Sequence, residues 1–234
     1  MQISSLLLGI CMNHFSSFIS HVLFLLILLS TPSCRKTPCD CDYEQSEELI
    51  LKETNCLRTE VIEQNLEDLF RIQGLLLNES IVALLNDECD NFEMIRFNLQ
   101  VNIKEIANFF TEIYTSDIGC RFEQLLLKQI QLHFDYVQAV KTYDKAQAHC
   151  IALKQRLHGD IIIEFLHINN PFFASHVEGP VLEEHLSLLM EQTVAYFRQD
   201  MKAVEDLRIR LVDQLAEWAR HLIRAIDKQL DDEC

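Results

Sequence analysis

An all-α helical bundle is the fold class that this sequence predicts, on three observations. Apolar residues recur in steps of three and four along several long stretches, which is the spacing of one helix face at about 100° per residue. No stretch alternates convincingly between apolar and polar residues, as a half-buried strand would. Breakers are few, with 5 Gly and 4 Pro in 234 residues. Outside the first segment the glycines are Gly74, Gly119, Gly159 and Gly179, each read as a helix boundary. No internal repeat or low-complexity segment is evident.

The organisation expected is a signal peptide over 1–33, a cysteine-rich loop over 34–44 and a helical domain over 45–234. His21 to Leu29 is an apolar run followed by Ser30-Thr31-Pro32-Ser33, the pattern of a segment removed on export. No basic residue precedes it, and Met12 is an alternative start. If the segment is instead retained, it tethers the chain to a membrane, and Cys34 after Ser33 resembles a weak lipid-attachment site.

Eight cysteines come after that segment: Cys34, Cys39, Cys41, Cys56, Cys89, Cys120, Cys150 and Cys234. An even number in an exported chain reads as a disulfide framework. The pairing is not deducible, and zinc is disfavoured because no Cys/His set completes a tetrahedron. Asn78-Glu79-Ser80 is a glycosylation sequon at Asn78 and fits the same route.

The first helix is placed from about Gln45 to Ile72, on Leu49, Ile50, Leu57, Val61, Ile62, Leu66, Leu69 and Phe70, with Gly74 closing it. A short helix is expected from Glu79 to Leu85. Phe92, Ile95, Leu99, Ile103, Ile106, Phe110 and Ile113 mark a second long helix, from about Asn91 to Tyr114. A third is read from Arg121 to Leu157, closed by Gly159. Ile161 to Leu166 fits either a strand or a buried helical turn. Pro180 is placed as the first residue of the next helix, which carries Leu182, Leu186, Leu189, Val194 and Phe197. A kink near Gln199-Asp200 then separates it from the final helix.

That final helix, from about Met201 to Gln229, places Leu207, Leu211, Leu215, Trp218 and Leu222 on one face, so Trp218 is read as a core anchor. Ile209, Val212, Ala216 and Ile223 widen the apolar arc beyond what one packed side needs. Packing on two sides, or a partner on one flank, would account for them. The opposite arc carries Asp213, Glu217, Arg220, His221 and Arg224.

Charge and motifs narrow the function classes. The formal net charge is −16, which disfavours binding to nucleic acid, whose phosphates would repel the chain. The acid is concentrated towards the front: residues 40–93 hold 15 acidic and 3 basic side chains, whereas 201–228 hold 5 and 6. Glu164-Phe165-Leu166-His167 has the spacing of a di-iron ligand pair, but such sites need a second copy and two further glutamates. There is no phosphate-binding glycine loop and no nucleophile or zinc-protease motif. The sequence therefore asks for neither an enzyme nor a cofactor.

Leu215-Ala216-Glu217-Trp218-Ala219-Arg220 and, at the end of the first helix, Arg71-Ile72-Gln73-Gly74-Leu75 resemble segments of the long-chain class I helical cytokines. The ciliary neurotrophic factor, cardiotrophin and oncostatin group is the nearest in pattern. Both segments are short. The Phe-x-x-Lys motif that several members carry at the start of the last helix is absent, since Phe197 and Lys202 are five apart. The resemblance implies an up-up-down-down four-helix bundle, here with extra short helices and disulfide staples. It also implies a secreted signalling ligand that binds a cell-surface receptor and catalyses nothing.

Receptor contacts are placed on Asp213, Arg220 and Arg224 of the last helix and on Glu60 and Glu67 of the first. A secreted helical carrier of an apolar ligand, with a cavity among Phe109, Phe110, Phe122 and Phe134, is the alternative. A membrane- or lipid-anchored helical interaction protein is a further one.

Overall fold

The computed structural model describes the backbone of residues 43–173 and 175–232 and the side chains of 64–173 and 178–231. The expected signal peptide and cysteine-rich loop lie outside the described residues. So do Cys34, Cys39, Cys41 and Cys234, and the side chains of Cys56 and Glu60. The chain divides into two units, Met1–Leu49 and Ile50–Cys234. The described part of the former is only the first turns of a helix, and the bundle is built entirely within the latter.

Six α-helices and no strand make up the described residues: α1 Tyr43–Leu85, α2 Cys89–Ile113, α3 Ser116–Lys141, α4 Lys145–Asn169, α5 Ser175–Phe197 and α6 Met201–Asp232. The all-α expectation holds and several boundaries move. The helix expected to stop before Gly74 runs through it to Leu85. Gly74 packs against α6, where an added Cβ would meet Leu215 and Val212 at 3.1–3.2 Å. Residues 161–166 are helical turns of α4, and Gly159 is buried inside α4 instead of ending a helix. Pro180 lies inside α5. The break between α5 and α6 falls at 198–200, as the sequence indicates.

The long helix read from Arg121 to Leu157 is two helices, broken at Thr142-Tyr143-Asp144. Neither Gly nor Pro marks the turn. Tyr143 takes a left-handed conformation at φ 58°, and the Asp144 carboxylate caps α4 by accepting from the Gln147 N–H at 2.9 Å. The same turn closes the other two pairs. Asp87, Tyr143 and Gln199, at 87, 143 and 199, are the described non-glycine residues with positive φ, near 60° each. In every case the next N–H reaches back to an alanine carbonyl one turn into the preceding helix: Glu88 to Ala83, Asp144 to Ala139 and Asp200 to Ala195, at 2.9–3.0 Å.

The spacing of 56 residues runs through the whole helical unit, which is built from three consecutive helical hairpins, α1–α2, α3–α4 and α5–α6. One internal bond recurs at the same place in each hairpin. Asn102 Nδ2 donates to the Leu69 carbonyl at 2.9 Å, His158 Nε2 to Leu125 at 2.8 Å and Gln214 Nε2 to Val181 at 2.5 Å. Donors 102, 158 and 214 and acceptors 69, 125 and 181 all keep the period.

Antiparallel neighbours joined by short turns form the bundle. α2 packs on α3, α3 on α4, α4 on α5 and α5 on α6, and α3 also touches α5. The ring closes where Trp218 of α6 meets Phe70 of α1 edge to face at 5.2 Å. The first helix of each hairpin faces the centre, as Gln73, Gln129 and His185 around one cavity show. These connections span 2–5 residues, since the helices end and restart at 85/89, 113/116, 141/145, 169/175 and 197/201. The long crossovers of an up-up-down-down bundle are absent among the described helices, and six long helices stand where four with short additions were expected.

Trp218 is 2% exposed, with Phe70, Phe110 and Phe122 among the largest fully buried side chains. The wide apolar arc of α6 is packed on two sides: Ala216 and Ile223 are as buried as Leu211 and Leu215. Ile209 alone of the four flanking residues is exposed.

Candidate functional site

Three of the residues expected to contact a receptor come together on the seam between α1 and α6. The Arg220 guanidinium donates to Glu217 at 2.6 Å and to Glu67 at 3.1 Å. Glu67 also accepts from Arg71 at 2.7 Å, and Arg71 reaches Asp213 at 3.6 Å. His221 extends the row, with Nε2 3.2 Å from Glu217 and Nδ1 3.5 Å from Glu178. Hydrogen bonding to Arg220 holds the Glu217 carboxyl below its usual range. Burial pushes the Glu178 carboxyl up, opposed by His221 and by the Trp218 indole N–H. Arg220 and Glu67 thus pair directly across the seam, and Asp213 joins them through Arg71. Arg224 is exposed on the same helix and acts on Glu217 through its charge alone.

A second cluster lies on the axis of the bundle, and sequence reasoning missed it. Gln73, Gln129 and His185, one per hairpin at the same position of the period, line a buried cavity of about 20 Å³ with His133 and Trp218. Gln73 Oε1, both amide atoms of Gln129, both ring nitrogens of His133 and Nδ1 of His185 are buried without a hydrogen-bond partner in the chain, whereas the Trp218 indole N–H is directed to Glu178. Burial drives the His133 imidazole down to about 3, helped by His185, and His185 down to about 4. Both rings are therefore neutral at pH 7. The signal was available in the sequence: each polar residue interrupts an otherwise apolar stripe.

The third feature is the outer face of α4. Leu153, Leu157 and Ile161 succeed one another at every fourth position and are 48%, 64% and 45% exposed. Beside them a groove of about 400 Å³ runs between α4 and α5, with Gly159, Leu182 and Leu186 in its floor and Arg156, Asp160 and Glu183 along it. Gly159 keeps the groove open, since the equivalent positions 103 and 215 carry Ile and Leu.

Other expected sites fare differently. Asn78 is 6% exposed, its Nδ2 donates to the Gly74 carbonyl at 2.8 Å, and its Oδ1 accepts from Gln192. The fold leaves no room for a glycan there. Cys89, Cys120 and Cys150 are free, exposed thiols on three different helices, so the expected disulfides are not formed by these three. Phe109, Phe110, Phe122 and Phe134 do not frame a ligand chamber; Phe110 lies 4.2 Å from Phe122, and Phe134 stacks edge-on to Phe92 at 5.0 Å. His167, from the Glu-x-x-His segment, bonds the Phe173 carbonyl at 3.0 Å and holds the loop after α4. Among the described residues no group of three or more His, Cys, Asp or Glu could hold a metal ion. No helix among them is long and apolar enough to cross a membrane. No family model, curated protein or solved structure matches the chain.

Proposed function

We propose that the chain is a non-catalytic protein ligand, exported from the cell, that presents a helix face to a cell-surface receptor. The observation that carries this reading is the exposed apolar row on α4, Leu153, Leu157 and Ile161, beside the groove that holds Arg156, Asp160 and Glu183. Apolar anchors edged by charged side chains are the usual anatomy of a protein–protein contact. The carrier alternative is disfavoured, because the buried cavity of about 20 Å³ admits only a water-sized guest, and the groove of about 400 Å³ lies open on the surface with Arg156, Asp160 and Glu183 along it, where an apolar ligand needs an enclosed, mostly apolar pocket. The contact surface moves accordingly from Arg220, which is engaged with Glu67 and Glu217, to α4.

The test is binding of the tagged, exported protein to receptor-bearing cells, compared with a Leu153→Asp/Leu157→Asp variant. Both positions face solvent, so the variant should keep its helix content and lose binding at least tenfold. Equal binding by the two proteins would reject the α4 face. Absence of the protein from the medium would reject the exported ligand.

A second reading draws on Cys89, Cys120 and Cys150. Exposed free thiols suit a reducing compartment better than an oxidising one, which fits a helical interaction protein that is not exported. Titration of native protein isolated from the producing cells separates the two readings, since reactive thiols at these positions favour the second.

A further inference from the structure

The polar cavity on the axis of the three hairpins has no role in the proposed receptor contact. Eleven residues line it, all buried. Most are the Leu and Ile that a dry core would use, and against them stand Gln73, Gln129, His133 and His185. Gln73, Gln129 and His185 occupy one position of the 56-residue period, so each hairpin sends one polar side chain to the same level of the axis. His133 occupies the position that is Leu77 in the first hairpin and Leu189 in the third.

Buried donors and acceptors in native proteins are almost always paired, because leaving them unpaired forfeits their hydration. Here six polar atoms of those four side chains find no partner in the chain. The cavity they line measures about 20 Å³, and one water molecule needs about 10–15 Å³. The atoms are of both kinds. Gln129 Nε2 can only donate, Gln73 Oε1 and Gln129 Oε1 can only accept, and each neutral imidazole offers one nitrogen of each kind. A water molecule, which donates two and accepts two hydrogen bonds, is complementary to that set. An ion is not, because no formal charge lines the cavity and an unpaired charge is costly to bury.

We propose that this cavity is a binding site for a single neutral, water-sized guest, water itself in aqueous solution, held by Gln73, Gln129, His133 and His185. The guest joins a side chain from each hairpin at one level of the axis and thereby fixes how the hairpins register against one another. In this respect it resembles a buried asparagine in a coiled coil.

The experiment is magnetic relaxation dispersion of water deuterons on the intact chain at pH 7.5, compared with His133→Leu. The period itself supplies leucine at this position, so the variant is expected to fold, and circular dichroism checks that it does. The intact chain should show one more long-lived water than the variant. Equal counts in the two folded proteins would overturn the proposal. A measurement on the unaltered chain makes the test independent of the variant: the imidazole protons of His133 and His185 should show cross-relaxation to a bound water. A dry cavity, with none, would overturn the proposal. So would stoichiometric uptake of Co²⁺ that His133→Leu abolishes, which would assign the cavity to a metal instead.

Discussion

His133 of α3 and His185 of α5 line the same buried cavity, and charge on His185 further disfavours charge on His133. Both imidazoles have folded-state values far below 6.5, at about 3 and about 4. Unfolding frees them to bind protons at any pH below 6.5 and above those values. Stability attached to the neutral rings is therefore present above pH 6.5 and is lost as pH falls through 6.5 towards 4. The slope is about 1.4 kcal/mol per pH unit for each histidine. Glu178 works in the opposite sense: its raised carboxyl binds a proton more readily folded than unfolded, which offsets part of the loss near the acid end. Urea midpoints should change little between pH 7.5 and 6.5 and fall from there to pH 5, and His185→Gln should roughly halve that slope. A flat profile would show that the two rings are not buried neutral.

Trp218 and Arg220 lie two residues apart on α6 and should respond very differently to substitution. Trp218 fills the junction of α1 and α6 against Phe70, and its replacement by Ala should cost about 3–5 kcal/mol. Arg220 bridges Glu67 and Glu217 at a part-exposed seam. Arg220→Met should cost no more than about 1 kcal/mol, as surface ion pairs do. Denaturant titration of both variants checks the contrast, and a large loss from Arg220→Met would show that the seam carries more of the stability than its exposure implies.

Gly119 and Gly159 should give opposite signs when changed to alanine. At Gly119 an added Cβ would stand 1.9 Å from Thr111 Oγ1 and 2.8 Å from the Ala107 carbonyl. The α2–α3 contact must open, at a cost of about 1–3 kcal/mol. At Gly159 the nearest atoms, on Leu182 and Leu186, are 3.4 Å away. There the helical preference for Ala over Gly should prevail and stabilise by about 0.5–1 kcal/mol. Thermal melts of the two variants should move in opposite directions.

The three hairpin turns offer a test of local chemistry. Gln199 holds a left-handed conformation, with φ 60°, that glycine adopts without strain. Gln199→Gly should stabilise by about 0.5–1 kcal/mol. Asp144→Ala removes the carboxylate cap on the Gln147 N–H and should cost about 1 kcal/mol. Equal stabilities for the two variants would argue against the turn geometry.

Secondary structure was largely legible from the residues, and the functional surfaces were not. Apolar steps of three and four located α2, α5 and α6 and placed Trp218 in the core, because a helix face is a local property of 100° rotation. The break at Thr142-Tyr143-Asp144 stayed hidden. The apolar stripe continues across it, and the turn takes its left-handed residue from tyrosine, where glycine is the usual sign. Glu67, Asp213 and Arg220 each stand out in the sequence, but only as separate residues. Their meeting depends on α6 closing the ring against α1, which no local pattern encodes.

The sequence by itself determined the all-α class, the helix-rich core and the buried standing of Trp218. It also carried the threefold period, in a form that residue identity conceals. Positions 102, 158 and 214 are Asn, His and Gln, different residues that supply the same N–H to a carbonyl 33 residues earlier. Positions 73, 129 and 185 preserve burial and polarity in the same way. Only the tertiary structure brought these equivalents around one axis. What the period conserves is hydrogen-bond role and burial, and those are properties of the packed hairpins.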